Sequence, residues 1–322
     1  MGLINYKSAR LVATAKLNLG LRVLYKRPDG FHELRTLFQS IGLADWIDVQ
    51  YAASRSREVT LESELNIADN LIVRAANALL DETGRGARVS FKLTKRIPMG
   101  GGLGGGSTDA AAVLLGLPAL MGIRVPMELL SRIGASLGSD VPFFLHGGRA
   151  LGLGRGTELY PLPDGPSEPV LLVTPGFPIS TPEAYQTLSA RLGGGAFSTS
   201  GFEDEVWRSD GRRFYRDKRA SLENDFEGPA FAQFPELATI QRKLWSTGAS
   251  PAGMTGSGST MYGVYENRRA LAAAEVGLKR WRTFRTMTVS RVQFRKLWFK
   301  QLGEHSDGLN WPPSNSTLKN GD

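Results

Sequence analysis

Residues Pro98-Met99-Gly100-Gly101-Gly102-Leu103-Gly104-Gly105-Gly106-Ser107-Thr108-Asp109 carry six glycines between a basic strand end and an alanine-rich stretch. Glycine has no Cβ and tolerates positive φ, so successive N–H groups in such a run can converge on one anion. A helix that starts directly after it adds free amides and the positive end of its dipole. The apolar strand Val89-Ser90-Phe91-Lys92-Leu93 before the run and Asp109-Ala110-Ala111-Ala112-Val113-Leu114-Leu115 after it supply that context, which a flexible linker seldom has. Phosphate binding is the chemistry that fits. Gly100 to Gly105 also satisfies the dinucleotide pattern G-x-G-x-x-G, with Glu128 about 20 residues on as an acidic ribose ligand would be. Any such run of glycines satisfies that pattern, however, and Glu128 falls beyond Pro126 inside a second helix instead of at a strand end. The Walker pattern fails, because no Lys-Ser or Lys-Thr pair closes the loop. What remains is a glycine loop ending Ser-Thr-Asp with no lysine of its own, so a cation has to come from elsewhere in the chain.

The run from Pro98 to Ala111 resembles the central ATP-binding motif of the GHMP kinases, the superfamily of galactokinase, homoserine kinase and mevalonate kinase. Ala15-Lys16-Leu17-Asn18-Leu19 resembles the first motif of that superfamily, and Met254-Thr255-Gly256-Ser257-Gly258-Ser259-Thr260 its third, a second glycine turn that closes over the phosphate site. Within the superfamily the likeness is greatest to the branch that acts on a cytidylated methylerythritol in non-mevalonate isoprenoid synthesis. The segments that carry it are Arg27 to Gln39, Asp69 to Ala76 and Gly138 to Phe144. It covers about residues 9 to 265, thins over 186–221 and again beyond about 268, where the chain looks longer than the family usually is. The resemblance implies an α+β, two-domain GHMP kinase fold: a ribosomal protein S5 domain 2-like N-terminal domain over 1–164 and a ferredoxin-like C-terminal domain over 165–305. The implied reaction is ATP-dependent phosphorylation of the substrate's 2-hydroxyl, with ATP and Mg²⁺ as cofactors. Other GHMP kinases of homoserine or mevalonate type, and a non-catalytic nucleotide-binding protein of the same fold, are the alternatives.

Phosphoryl transfer needs positioning and charge neutralisation more than covalent chemistry, so a base and cations suffice. Asp140, in a polar-to-apolar turn before Pro142-Phe143-Phe144, is the candidate base on the accepting hydroxyl; by residue type alone it could equally cap a helix or turn. Lys16, alone in an otherwise apolar strand, can contact both Asp140 and that hydroxyl. The resemblance implies that Pro98 through Thr108 hold the nucleotide, with the hydroxyl of Ser107 or Thr108 on Mg²⁺ or the β-phosphate; no carboxylate ligand for the metal is assigned, Asp109 being one possibility. It also implies that Phe31 and His32 hold the cytidine with Tyr185 stacking from the opposite side, as suits a flat, polar base. The family commonly has tyrosine at position 31. Asn18 and Thr181 are further candidates for substrate contacts.

The elements that position these residues can be outlined from periodicity. Alternation in 9–13, 34–38 and 46–51 predicts early strands joined by turns, Asp29-Gly30 among them. Leu71, Ala75, Ala78 and Leu79 predict a helix from about 69 to 80, capped by Asp69 or Asn70. A strand at 89–93, the glycine loop and a helix over about 107–121 follow, and Pro126 opens another helix that ends by Gly138. Pro161 to Pro166 is the best domain boundary. Beyond it, Val170 to Val173 reads as a buried strand and Thr181-Pro182-Glu183 as a helix start. Residues 193–221 read as an irregular or mobile excursion and 306–322 as a disordered tail.

Composition closes off other classes. At 322 residues without cysteine, the chain has ample apolar content for a core and neither disulfides nor thiolate chemistry. His32, His146 and His305 are widely scattered, which disfavours a histidine metal centre. No basic start leads into an apolar run, and the longest apolar stretch, Ala110 to Gly122, is too short for a bilayer, so a cytoplasmic protein with no membrane partner is expected. The net charge of +8 is local: residues 268–300 hold ten basic residues against Glu275 alone, leaving 29 basic and 30 acidic elsewhere. With no nucleic-acid motif beside it, a solvated helix and strand face is the favoured reading of that segment over a polyanion patch, and no nucleic-acid partner is expected.

Overall fold

The computed structural model describes residues 5–65, 67–192 and 223–305. Both the 193–221 excursion and the 306–322 tail lie outside the described residues.

The first layer is built on one long hairpin, β1 (Lys7–Lys26) and β2 (His32–Ala53), paired antiparallel from end to end. Its turn holds Gly30 at φ +85°, a conformation that suits glycine, and Asp29 accepts a hydrogen bond from the Phe31 amide at 3.1 Å. Where alternation predicts separate short strands, the chain runs continuously. Three register shifts, at 14/16, 18/20 and 23/25, break the period of two along β1. From Ala13 to Leu21 every residue is buried, because both faces of the strand are covered.

The other edge of β2 carries β4 (Ala87–Thr94) along residues 46–53 and β5 (Arg149–Gly154) along 34–39. Strands β3 (Glu58–Ser63) and β6 (Glu158–Pro161) complete the six-stranded sheet. Strands β3 and β4 are parallel, joined through helix α1 (Leu71–Thr83), whose Asn70 cap accepts from the Ile72 amide at 2.9 Å. Helix α2 (Gly105–Met121) is apolar nearly all round and buried from Thr108 to Met121. It packs with α1, α3 (Met127–Leu137) and the short α4 (Val141–His146) over the sheet.

The second layer is a four-stranded antiparallel sheet of β7 (Pro169–Thr174), β8 (Ala252–Met254), β9 (Met261–Val264) and β10 (Arg282–Met287), in the order β10-β7-β9-β8. Its described helices are α5 (Thr181–Leu192), α6 (Glu227–Gln233), α7 (Pro235–Ser246) and α8 (Arg268–Val276). Strand, helices, two strands, helix, strand is the ferredoxin-like succession. Between the two sheets lies a shared apolar core in which Leu17, Leu19 and Ile41 meet Val170, Leu172 and Tyr262. The last helix, α9 (Arg291–Leu302), returns to the first layer and buries Phe294, Trp298 and Leu302 in its core.

Candidate active site

The glycine loop is held open by close backbone approach. Gly100, Gly102 and Gly104 have φ of +65°, +74° and +73°. A Cβ on Gly102 would lie 2.0 Å from the Thr255 carbonyl oxygen, and one on Gly104 would lie 2.6 Å from the Phe144 ring. No side chain caps α2 behind Gly104, so the first-turn amides of the helix keep their donors for an outside acceptor. The third motif is the hairpin turn between β8 and β9, laid directly against this loop. The Thr255 hydroxyl donates to Gly102 O at 3.2 Å, and the Thr260 amide to Gly101 O at 3.4 Å. Asn224 braces that turn from below, its amide donating to the carbonyls of Met254 and Gly256, each at 2.8 Å.

A cavity of about 950 Å³ opens between the layers, and the loop forms one wall of it. Lys16 and Asp140 meet on that wall with Nζ 3.3 Å from Oδ2. Asp140 stands at the N-terminal end of α4 but makes no capping bond, leaving its carboxylate for the cavity, where its side chain is 31 % exposed against 4 % for Lys16. The buried ammonium also donates to Asn18 Oδ1 and lies 5.6 Å from the centre of the Phe38 ring. Asn18 is fixed in turn: its amide nitrogen Nδ2 donates to Thr36 Oγ1 at 2.7 Å, and its backbone N–H donates to Thr255 Oγ1 at 3.0 Å. The three motifs are therefore in one chain of contacts, Lys16 to Asn18 to Thr255 to Gly102.

The loop separates this cavity from a smaller one of about 240 Å³, lined by Pro98 to Gly106 together with Asn70, Lys95 and Asp109. Ser107 faces the larger cavity. Thr108 faces neither; it is buried and its hydroxyl donates to Thr14 O at 2.8 Å. Phe31, His32, Thr181 and Tyr185 line the far side of the larger cavity. His32 stacks on Tyr185 with ring centroids 4.6 Å apart, covering one face of the tyrosine, and its Nε2 lies 3.0 Å from Ser189 Oγ. Burial, with Lys26 nearby, pulls the imidazole below its ordinary pKa, while burial and then Asp140 raise the Tyr185 hydroxyl. Thr181 Oγ1 is 2.9 Å from Ser257 Oγ of the third motif.

Sequence reasoning did not find Arg155, whose guanidinium lies 4.3 Å over the half-exposed Phe31 ring from the tight turn between β5 and β6. A basic residue flanked by Gly154 and Gly156 was the available signal. It also missed Asn224 and the pair Asp45 and Lys95, for which spacing offers no signal at all. Among the described residues, no group of three or more His, Cys, Asp or Glu is placed to hold a metal, and no helix is long and apolar enough to cross a membrane.

Residues 70–148 match the family model described as GHMP kinases N terminal domain, and 203–281 match GHMP kinases C terminal. A 4-diphosphocytidyl-2-C-methyl-D-erythritol kinase of Solibacter usitatus (strain Ellin6076) is 48 % identical over 306 residues, covering 95 % of this chain and 96 % of that one. This likeness runs well beyond the 9–265 span that the motifs delimit. The corresponding Moorella thermoacetica protein is 42 % identical over 79 % of this chain and 89 % of its own. A solved structure of a 4-(cytidine 5'-diphospho)-2C-methyl-D-erythritol kinase superposes with a TM-score of 0.71 at 35 % identity, covering 87 % of this chain and 98 % of that one. A homoserine kinase from Cytophaga hutchinsonii shares the fold, with a TM-score of 0.68 at 16 % identity over 90 % of this chain and 97 % of its own. Matched along nearly its whole length, and carrying all three motifs on one cavity, the chain belongs to the GHMP kinases and, within them, to the 4-diphosphocytidyl-2-C-methyl-D-erythritol kinase family.

Proposed function

We propose that the protein transfers the γ-phosphoryl group of ATP to the 2-hydroxyl of 4-diphosphocytidyl-2-C-methyl-D-erythritol, giving the 2-phosphate and ADP. The observation that carries this reading is the Lys16–Asp140 pair at 3.3 Å on the same cavity wall as the uncapped start of α2. In this reading the loop amides and the helix dipole hold the phosphates of ATP. Asp140 takes the proton of the accepting hydroxyl as its oxygen bonds to the γ-phosphorus, and the bond from that phosphorus to the β-phosphate oxygen breaks. Lys16, desolvated and held by Asn18, supplies positive charge where negative charge gathers.

Magnesium fits this donor set without a protein cage, since the ion commonly takes most of its ligands from phosphate and water. Ser107 is the side chain on the cavity that would hold it beside the helix start. When bound, the ion would neutralise charge on the phosphate oxygens.

On the acceptor side, Phe31, His32 and Tyr185 are assigned to the cytidine. With Nε2 against Ser189, a neutral imidazole keeps Nδ1 for the base edge, as donor or acceptor according to the tautomer, and the depressed pKa of His32 favours the neutral form near neutrality. Asn18 and Thr181 are assigned to the rest of the substrate. ADP release measured with the cytidylated erythritol, homoserine and mevalonate tests the reading: turnover with the first alone is expected, and turnover only with another alcohol refutes it. Asp140→Asn should lower kcat by at least about 10³-fold while nucleotide affinity stays within a factor of about two; unchanged turnover would remove Asp140 from the base role.

A further inference from the structure

On the side of the glycine loop away from Asp140 lies a buried charge cluster that phosphoryl transfer as described above does not use. Lys95 Nζ sits 2.5 Å from Asp45 Oδ2 and 2.6 Å from Asp109 Oδ2, with side-chain exposures of 10 %, 0 % and 3 %. The three residues come from three different elements. Asp45 is in the middle of β2, Lys95 directly follows β4, and Asp109 is in the first turns of α2. The second oxygen of Asp45 accepts from the amides of Arg96 at 2.5 Å and Ile97 at 2.8 Å, the residues leading into the loop. The ammonium also lies close under the start of α2, 3.0 Å from where a Cβ on Gly105 would stand. Entry and exit of the loop are thereby tied to the same point on the sheet, with one lysine joining the carboxylate that holds the entry to the carboxylate that holds the exit.

We infer that Lys95 is a positioning residue for the nucleotide phosphates: it fixes the two ends of the glycine loop against each other so that the amides at the start of α2 converge on one anion. The inference rests on the proposed use of this loop by ATP, but not on the identity of the acceptor. Several amides must point at one group at once, so a small splaying of the loop ends spoils all of them together. The residues assigned to the cytidine, Phe31, His32 and Tyr185, line the far side of the larger cavity, and His32 bonds there to Ser189, not to the cluster.

Replacing Lys95 alone would leave two buried carboxylates without their shared cation and endanger folding. The informative variant is therefore the double substitution Lys95→Met with Asp109→Asn, which removes both charges and leaves Asp45 its two backbone donors. Binding of an ATP analogue with Mg²⁺ by calorimetry, and the KM for each substrate, are the readouts, with circular dichroism to check the fold. The expected result is affinity for the nucleotide weakened on the order of tenfold, with the acceptor KM within a factor of about two. Equal loss for both substrates, or for neither, in a folded variant overturns the inference. Asp109→Asn alone keeps the Lys95–Asp45 pair and loosens only the exit, so it serves where the double variant does not fold; there a nucleotide affinity equal to that of the unmodified protein overturns it. Calorimetry needs no acceptor, so failure with the cytidylated substrate refutes the proposed reaction while leaving this test intact.

Discussion

Gly102→Ala is the substitution whose consequences the structure specifies most fully. At φ +74° the added methyl group would stand 2.0 Å from Thr255 O, 2.9 Å from Thr255 C and 3.4 Å from Gly258 N, all of them backbone atoms. Ordinary carbon contacts need roughly 3.5 Å, so the β8–β9 turn would have to retreat by more than about 1 Å. That retreat breaks the Thr255 hydroxyl bond to Gly102 O and the Thr260 amide bond to Gly101 O. Two bonds at about 1 kcal/mol each, with about 1 kcal/mol for alanine in the left-handed region, give a loss of roughly 3 kcal/mol. The displacement also reaches the chemistry, because Thr255 holds the Asn18 amide and Asn18 holds Lys16. Misplacement on the order of 1 Å at a reacting group costs up to about 10²-fold in rate. Gly106→Ala is the matched control. Its methyl would meet nothing closer than Leu71 Cδ1 at 3.5 Å, in a helical position where alanine is favoured by up to about 1 kcal/mol. Thermal unfolding and steady-state kinetics on both variants should show the first protein less stable and slow. The second should be at least as stable as the parent and, because Gly106 lines the cavity, weaker for ATP. A Gly102→Ala protein with the parent's stability and turnover would refute the contact between the two glycine turns, and a Gly106→Ala protein as unstable as its partner would refute the steric argument.

Two further substitutions test the frame around the site. Burial, reinforced by Arg291 and Arg295, pushes His146 down to about 4. A folded pKa below the unfolded value near 6.5 stabilises the protein above that value, and the stabilisation is lost as pH falls toward 4. By pH 4.5 the loss from this group is about 2–3 kcal/mol, so urea unfolding at pH 7 and 4.5 should show His146→Gln losing less stability than the parent by that amount; identical acid losses would contradict the assignment. Asn224→Ala would strip two carbonyls and the Phe226 amide of their buried partner. A loss of about 2–3 kcal/mol is expected in the same measurement, and a change under about 0.5 kcal/mol would mean that the turn does not depend on this brace.

The motifs were legible because each is a local property of the chain. Six glycines before an alanine-rich helix, and a lysine in an apolar strand, stand out whatever surrounds them. Strand boundaries were less legible for a physical reason. Alternation marks a strand with one wet face, and the middle of β1 has none, lying between the helical layer and the second sheet. Helix α2 begins two residues before the expected Ser107, taking in Gly105 and Gly106 although glycine is a poor helix former; at 105 a Cβ would stand 3.0 Å from Lys95 Nζ and 3.2 Å from Ile97 Cγ2.

The electrostatics around the loop were invisible for a different reason. Lys95 and Asp45 are 50 positions apart, and nothing in either neighbourhood distinguishes them from a solvated strand-end lysine and a turn aspartate. Only the fold makes them partners. The basic segment near the C-terminus shows the converse, since part of a charge excess that is conspicuous in sequence is engaged within the chain. Arg280 lies 3.8 Å over Trp281, Arg285 pairs with Glu275, and Arg291 donates to the Arg149 carbonyl at 2.6 Å. A count of charges therefore overstated the C-terminal segment and passed over the one buried lysine behind the glycine loop. What decides the weight of a charge is how far it is desolvated and what it faces: Arg285, with a side chain 59 % exposed, is screened by water, while Lys95 at 10 % has two carboxylates and little else to answer it.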